Sequence, residues 1–379
     1  MDLEKGANGS NSKALQTRYL DLGLAAHCAP HARQRAKSMM KGSRGTADAI
    51  NNEETLFIVW KSYQRRVDAF KKKLNIRPVY FHFRWEEKTK VHKAFSYFFK
   101  IWKTFRLLMR EKPDLFYIQS PPTFLIYVAY IYGLSTGAKV VVDAHNTLIY
   151  GSYWSKMPFV KYVLTRSFAV IVHNSYVADM ADKMGVPHTI LMDRPSDLSH
   201  VHLPVPKVML KKLRGPLVVV PCSYDSDEPL EEMRKATIML PNVNFFVTWY
   251  REKLSEDYLR GFKENTIFTG FMPPEEFDSL LAQADAILVL TTRKGTQPSG
   301  ASEAIAFQKP LVVSDLQIIR ELFPVGSIYV ENSAEAIAKG IAEALQHKER
   351  LALEMASFKE TKMKMWEEQF QNLMNTIHR

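Results

Sequence analysis

Apolar runs alternate with amphipathic helical stretches along residues 55–331, and the alternation runs through twice. Runs such as TLFIVW (55–60) and KVVVDA within 139–146 are apolar on both sides rather than on alternate residues. That pattern belongs to strands buried on both faces of a parallel sheet. Parallel strands need a crossover between them, and the helical stretches supply it. The first series places strands at 55–60, 78–83, 114–120, 139–146, 169–174 and 188–195. A Pro-rich link (202–216) follows, and a second series places strands at 217–223, 242–250, 266–271, 285–292, 310–315 and 327–331. The expected architecture is α/β, with two Rossmann-like doubly wound domains facing a cleft. Ligands of such sheets bind beyond the carboxyl ends of the strands, which here means between the domains.

A chain of 379 residues can bury a core in each of two such units. The expected division is a flexible tail at 1–53, an N-terminal Rossmann-like domain at 54–205, a C-terminal Rossmann-like domain at 206–345, and C-terminal helices at 346–379 that pack back across both. Within the tail, His27, Cys28 and His31 lack a fourth neighbour of metal-ligand type, so no metal site is expected. The two cysteines, Cys28 and Cys222, make no disulfide framework and suit a reducing compartment. The longest apolar stretch, 124–134, is shorter than the roughly 18 residues a membrane span needs. No secretory pattern opens the sequence. A cytoplasmic protein, peripheral on the cytoplasmic face of a membrane, is expected.

Charge is concentrated. Residues 60–112 hold sixteen Lys/Arg against four Asp/Glu, an excess that accounts for the whole net charge of +11. The helix expected at 88–110 carries seven Lys/Arg and no acid. At helical spacing Val91, Phe95, Phe98, Trp102, Phe105 and Met109 share one arc, with Lys93, Lys100, Lys103 and Arg110 beside it. An aromatic face flanked by cations suits an anionic membrane surface. The alternative is an arc that packs on the sheet. No nucleic-acid-binding module is recognisable, and nucleic acid is not an expected partner.

One carboxylate stands out in the second series. In TQPSGASEAIAFQKPLVVSD (296–315), Glu303 interrupts an apolar helix that opens at Ser299 and Gly300. A helix start stabilises phosphate through free N–H groups. A carboxylate one turn inside can accept both hydroxyl hydrogens of a ribose. Ser299, Gly300, Ala301 and Glu303 therefore form a candidate nucleotide site. Alternatively, Glu303 merely favours the helix dipole.

The run TIFTGFMPPEEFDSLLAQADAILVLTT…SGASEAIAFQKPLVVSD resembles the second domain of GT-B glycosyltransferases of the family 4 type. QSPPT, DAHN and PCSYDSDEPLEEM are most similar to β-1,4-mannosyltransferases acting on lipid-linked chitobiose. The resemblance covers about 55–345. It implies a metal-independent hexosyltransferase with no cofactor, using a UDP- or GDP-type sugar and a lipid-linked or growing glycan acceptor. It assigns the donor to Ser299, Gly300, Ala301 and Glu303, with Phe271 at the base; the family's usual Arg and Lys for the diphosphate are absent from PCSYDSDEPL, and Arg251 is the residue that could supply that charge. It assigns the acceptor side to Lys61, Arg65, Gln119 and Asn146, and the catalytic position to His145. Asp68, Glu86, Glu87 and Asp143 are the other titratable groups for an inverting base. Asp143 is expected to face away from His145 and anchor a loop. Asp225 and Asp227 are expected to cap a helix. Many family 4 enzymes carry a first glutamate eight places before the second; here Gly295 stands there. That departure keeps a non-catalytic GT-B-like subunit as the alternative, with a sugar-nucleotide epimerase behind it.

Overall fold

The computed structural model describes residues 54–196, 215–248 and 254–378. The tail at 1–53, with His27, Cys28 and His31, most of the Pro-rich link, and Arg251 lie outside the described residues.

The first series forms β1 (Thr55–Val59), α1 (Arg65–Lys71), β2 (Ile76–Tyr80), α2 (Lys90–Glu111), β3 (Leu115–Ser120), α3 (Phe124–Thr136), β4 (Lys139–Ala144), α4 (Asn146–Ile149), α5 (Val160–Arg166), β5 (Ala169–Val172), α6 (Ser175–Met184) and β6 (Thr189–Ile190). Its strands lie in the order β2-β1-β3-β4-β5-β6, paired in parallel. The second series forms β7 (Leu217–Val220), α7 (Leu230–Met239), β8 (Asn244–Thr248), α8 (Glu256–Arg260), β9 (Thr266–Gly270), α9 (Pro274–Gln283), β10 (Ala286–Val289), α10 (Ser299–Phe307), β11 (Leu311–Ser314), α11 (Gln317–Leu322), β12 (Ser327–Val330), α12 (Ala334–Gln346) and α13 (Lys348–Ile377). Its order is β12-β11-β10-β7-β8-β9, again parallel. Each sheet starts near its middle, winds outward, then returns to the other side of its first strand. The reversals fall between β1 and β3 and between β7 and β10, and these are the crevices where such sheets take ligands.

The helices cover both faces. In the first sheet, Leu107 and Leu108 of α2, Leu125 and Ala129 of α3, Val163 of α5 and Val177 of α6 share one core layer. Val67 and Phe70 of α1 lie in the other, together with Trp366, Phe370, Leu373 and Ile377 of α13. Earlier in the same helix, Met355 and Phe358 belong to the core of the second sheet. One helix thus straddles both sheets.

Some expectations fail for physical reasons. β2 starts at Ile76 and contains Pro78, tolerable because β2 is an edge strand. β6 is two residues long. α3 reads as a buried helix, yet Ile131 and Leu134 face outward. The arc of α2 is also exposed. The helix turns Ser96, Lys100, Thr104, Leu107 and Leu108 inward and leaves Phe95, Phe98, Trp102 and Phe105 outside. Lys100 is therefore not a flanking surface cation; it is buried on Glu86 at 2.7 Å.

Candidate functional site

The loop after β1 ends at two arginines that diverge. Arg66 turns into the first domain. Its Nε lies 3.1 Å from both oxygens of Asp143, Nη1 donates to Met192 O and Asp193 Oδ1, and Nη2 donates to Leu191 O. Every nitrogen of this buried guanidinium thereby has at least one acceptor. Gln119, at the end of β3, donates its amide to Asp143 Oδ2 at 2.9 Å. It is buried, with that amide group committed to Asp143. His173, at the end of β5, places Nε2 3.2 Å from Asp143 Oδ1.

Asp143 does not face away from His145. The two residues are two apart in extended chain and share a side, with His145 Nε2 at 4.0 Å from the carboxylate. The rings of His145 and His173 meet edge to face, centroids 4.4 Å apart. Burial pushes the Asp143 carboxyl up, but Arg66 and His173 outweigh it and hold it below the usual carboxylate range. Burial, then the neighbouring His173, pushes His145 well below its ordinary value, and Lys61 and Arg66 push the same way. His145 is therefore neutral at pH 7. Lys61 is solvent-accessible, yet desolvation lowers its pKa, opposed by Asp143. Asp143, His145 and His173 present three ligand-type atoms within 4.8 Å of one another. The carboxylate is already committed to a buried guanidinium, so this donor set reads as an ion-pair network that orients His145.

Arg65 turns the other way, across the cleft. Its Nη1 lies 2.5 Å from Glu303 Oε2 and its Nη2 lies 2.7 Å from Asp278 Oδ1. Glu303 sits one turn inside α10, at the start of its second turn. The helix start has no side-chain cap, and Gly300 packs so tightly that a Cβ would stand 3.0 Å from both Pro221 and Val289. Those two contacts come from the ends of β7 and β10, so α10 opens at the second crevice. Burial raises the Glu303 pKa to about 7, against the pull of Arg65 and with Asp278 adding to the rise. The two carboxylates need the arginine between them.

Around these groups lie buried polar atoms with no protein partner among the described residues: Gln119 Oε1, His145 Nε2, Asn146 Oδ1, Asn174 Nδ2 and Gln297 Oε1. Buried polar atoms are ordinarily satisfied, so a cluster of exceptions marks where a polar ligand fits. Asn146 also donates to Gly295 O at 3.3 Å, and Tyr150 Oη to Lys294 O at 3.2 Å, so the loop before α10 docks on the first domain. Gly295 has φ +76°, and a Cβ there would fall 2.2 Å from the Tyr176 ring. No glutamate fits at that position.

Other expectations need correction. Asp225 and Asp227 do not cap α7, whose cap is Pro229. Asp227 instead binds Arg293 and the Thr291 hydroxyl, tying together the loops after β7 and β10. Phe271 follows Gly270 at the end of β9 and is exposed. Asp278, Arg66 and His173 were not singled out in the sequence. Two of them carried a readable signal: Asp278 interrupts the apolar side of α9 as Glu303 does that of α10, and His173 ends an apolar strand as His145 nearly does.

Residues 248–360 match the family model described as glycosyl transferases group 1, from the end of β8 into α13. Comparison with curated proteins finds no match. Among solved structures, sucrose-phosphate synthase from Thermosynechococcus elongatus superposes with a TM-score of 0.63 at 11% identity, over 86% of this chain and 98% of that one. Anabaena HepE, solved with UDP and glucose, gives 0.61 at 12%, over 85% and 99%. A glycosyltransferase from Rickettsia africae gives 0.63 at 12%, over 86% and 98%. The fold is that of GT-B glycosyltransferases: two parallel six-stranded sheets with their helices.

Proposed function

We propose that this chain transfers a sugar from a nucleotide-sugar donor to an acceptor. The observation that carries the reading is Glu303, a largely buried carboxylate one turn inside an uncapped helix start at the crevice of the second sheet. Ser299, Gly300 and Ala301 would offer N–H groups to the donor diphosphate, and Glu303 would take the ribose hydroxyls. Phe271 would line the base. Arg251 remains a candidate for the diphosphate. HepE was solved with UDP and glucose, which makes UDP the first donor nucleotide to try, with GDP beside it.

The acceptor would meet the donor from the first domain, over Lys61, Asn146 and His145. A glycosyl transfer passes through an oxocarbenium-like state. If it inverts, neutral His145 can take the acceptor proton, since its Nε2 has no partner among the described residues. Charge on the leaving diphosphate would be met by the start of α10 and by arginine, without a metal. A lipid-linked or growing glycan acceptor suits the exposed aromatic arc of α2, which would hold the enzyme to the cytoplasmic face of a membrane. No described helix is long and apolar enough to cross one. The alternative, a GT-B-like subunit without catalysis, draws on Gly295, where packing leaves no room for a carboxylate.

Thermal unfolding with UDP, GDP, ADP and dTDP, wild type beside Glu303→Ala, tests the donor site. A nucleotide at 100 times its Kd stabilises by about 2.7 kcal/mol. A shift with one nucleotide that vanishes in Glu303→Ala supports the reading. No shift with any nucleotide, from folded protein, turns it toward the subunit.

A further inference from the structure

The helix layer outside the first sheet carries a surface that the cleft does not use. On α2, Val91 is 74% exposed, Phe98 67% and Trp102 51%, with Phe95, Phe105 and Met109 in the same row. α3 lies alongside and shows Ile131 and Leu134, the latter 73% exposed. α5 packs on α3 and is entered through Phe159, 75% exposed. The three helices share one core layer beneath, so these side chains point out on one side of the domain. Isolated exposed apolar residues are ordinary, but a row of six on one helix with more on the helices packed beside it marks an interaction surface.

Charge chooses the occupant. Lys90, Lys93, Lys103, Arg106 and Arg110 lie exposed along α2. Its one acid, Glu111, is the last residue and is spent on Arg77 and Arg110. Arg106 lies over the Trp102 ring at 5.3 Å and Arg166 over the Tyr162 ring at 3.7 Å. Cation and aromatic thus stand at one depth, as at the boundary between headgroups and acyl chains. Beside α5 an open surface groove of about 450 Å³ is lined by Met157, Phe159, Val160 and Met184 together with Lys161 and Arg166. Apolar walls with cations fit a lipid phosphate with its chains. The aliphatic members Val91, Met109, Ile131 and Leu134 offer nothing for nucleic-acid bases to stack on.

We propose that α2, α3 and α5 together, not α2 alone, form a docking face for the interface of an anionic bilayer. This deepens the membrane part of the reading above and stands whether or not sugar transfer does. The first-turn residue Phe124 of α3 packs with Tyr97 and Trp154 just past the end of β3. The face therefore runs up to the strand ends where an acceptor would enter.

Flotation of the full chain with vesicles tests it, using phosphatidylcholine alone and with about a third phosphatidylserine. Binding is expected on the anionic vesicles and is expected to weaken with salt. Phe98→Ser with Trp102→Ser is expected to lower partitioning roughly tenfold or more, and Leu134→Ser or Phe159→Ser a few-fold each. Each variant should keep the wild-type melting temperature and nucleotide response, which separates failed docking from a failed donor site. No flotation on anionic vesicles overturns the proposal. Flotation indifferent to Leu134 and Phe159 overturns the three-helix face. A dimer dissolved by these substitutions, or RNA held by the same residues, also overturns it.

Discussion

At the scale of single residues, the cleft turns on Arg65. It stands between Glu303 and Asp278, all three side chains less than a third exposed. Removing it leaves two carboxylates facing one another without a cation. Breaking a buried pair from one side costs more than the pair contributes. With partial solvent access, Arg65→Ala is expected to lower stability by about 1–3 kcal/mol. Adding Glu303→Gln should restore part of that loss, and denaturant unfolding of the two singles and the double measures it. A double mutant no more stable than Arg65→Ala would mean the bridge is a surface contact of no consequence. Glu303 also predicts a pH dependence. Its pKa rises from 4.5 to about 7 on folding, so the folded state holds the proton more tightly. Relative to Glu303→Gln, the wild type should lose stability as pH rises from about 4.5 to 7, by up to about 3 kcal/mol. Nucleotide binding should run the opposite way, because ribose hydroxyls donate to an ionised carboxylate. The nucleotide-induced melting shift is expected to grow between about pH 6 and 8 in the wild type and stay flat in Glu303→Gln. Glu303 itself was legible, since a charge inside an apolar helical pattern needs a partner. Arg65, 238 residues away, was not. No periodicity encodes a contact across a cleft, and Arg65 was legible only as an acceptor-side residue, not as the partner of Glu303.

At the scale of elements, the sequence specified the strands well because parallel strands buried on both faces leave continuous apolar runs. It specified faces less well. The polar residues Ser96, Lys100 and Thr104 of α2 point inward, and its aromatic arc points out. The reason lies in partners that the helical pattern does not display. Lys100 is buried on Glu86 from the 3-10 turn before α2, and the Thr104 hydroxyl accepts the Trp60 indole N–H at 3.0 Å. A helix with satisfied polar groups can bury them and leave apolar side chains outside. Glu86→Ala would strand a buried ammonium and is expected to cost about 3–5 kcal/mol, whereas Lys100→Met with Glu86→Gln should cost far less. Urea unfolding distinguishes them, and equal losses would show that packing rather than charge holds the turn to the helix.

At the scale of the molecule, the question is what couples the two sheets. The ion pair at Arg65 and the loop bonds at Gly295 and Lys294 cross the cleft, but each is a polar contact that solvent can replace. α13 is different, because it is part of both hydrophobic cores. Met355 and Phe358 are buried in the second, and Trp366, Phe370, Leu373 and Ile377 in the first. Between them Lys362 is 5% exposed, its ammonium 5.3 Å from the Phe358 ring centre, and desolvation lowers its pKa to about 8. The folded state therefore holds that proton less tightly than the unfolded chain. Wild-type stability should rise with pH from about 8 to 10.5 relative to Lys362→Met, which ought to be the more stable protein at pH 7. Trp366 is the larger lever. Trp366→Ala removes a side chain 1% exposed and stacked on Phe370, and is expected to cost about 3–5 kcal/mol. Because the helix is continuous, that loss should be felt beyond the first sheet. Hydrogen exchange on Trp366→Ala is expected to accelerate at Met355 and Phe358, about two to three turns earlier in the same helix, as well as in β1 and β4. Acceleration confined to β1, β4 and the end of α13 would mean that each sheet holds its own part of the helix. The contacts across the cleft, the polar ones and the packing of Tyr176 against the second core, would then carry the coupling that a bound nucleotide would have to rearrange.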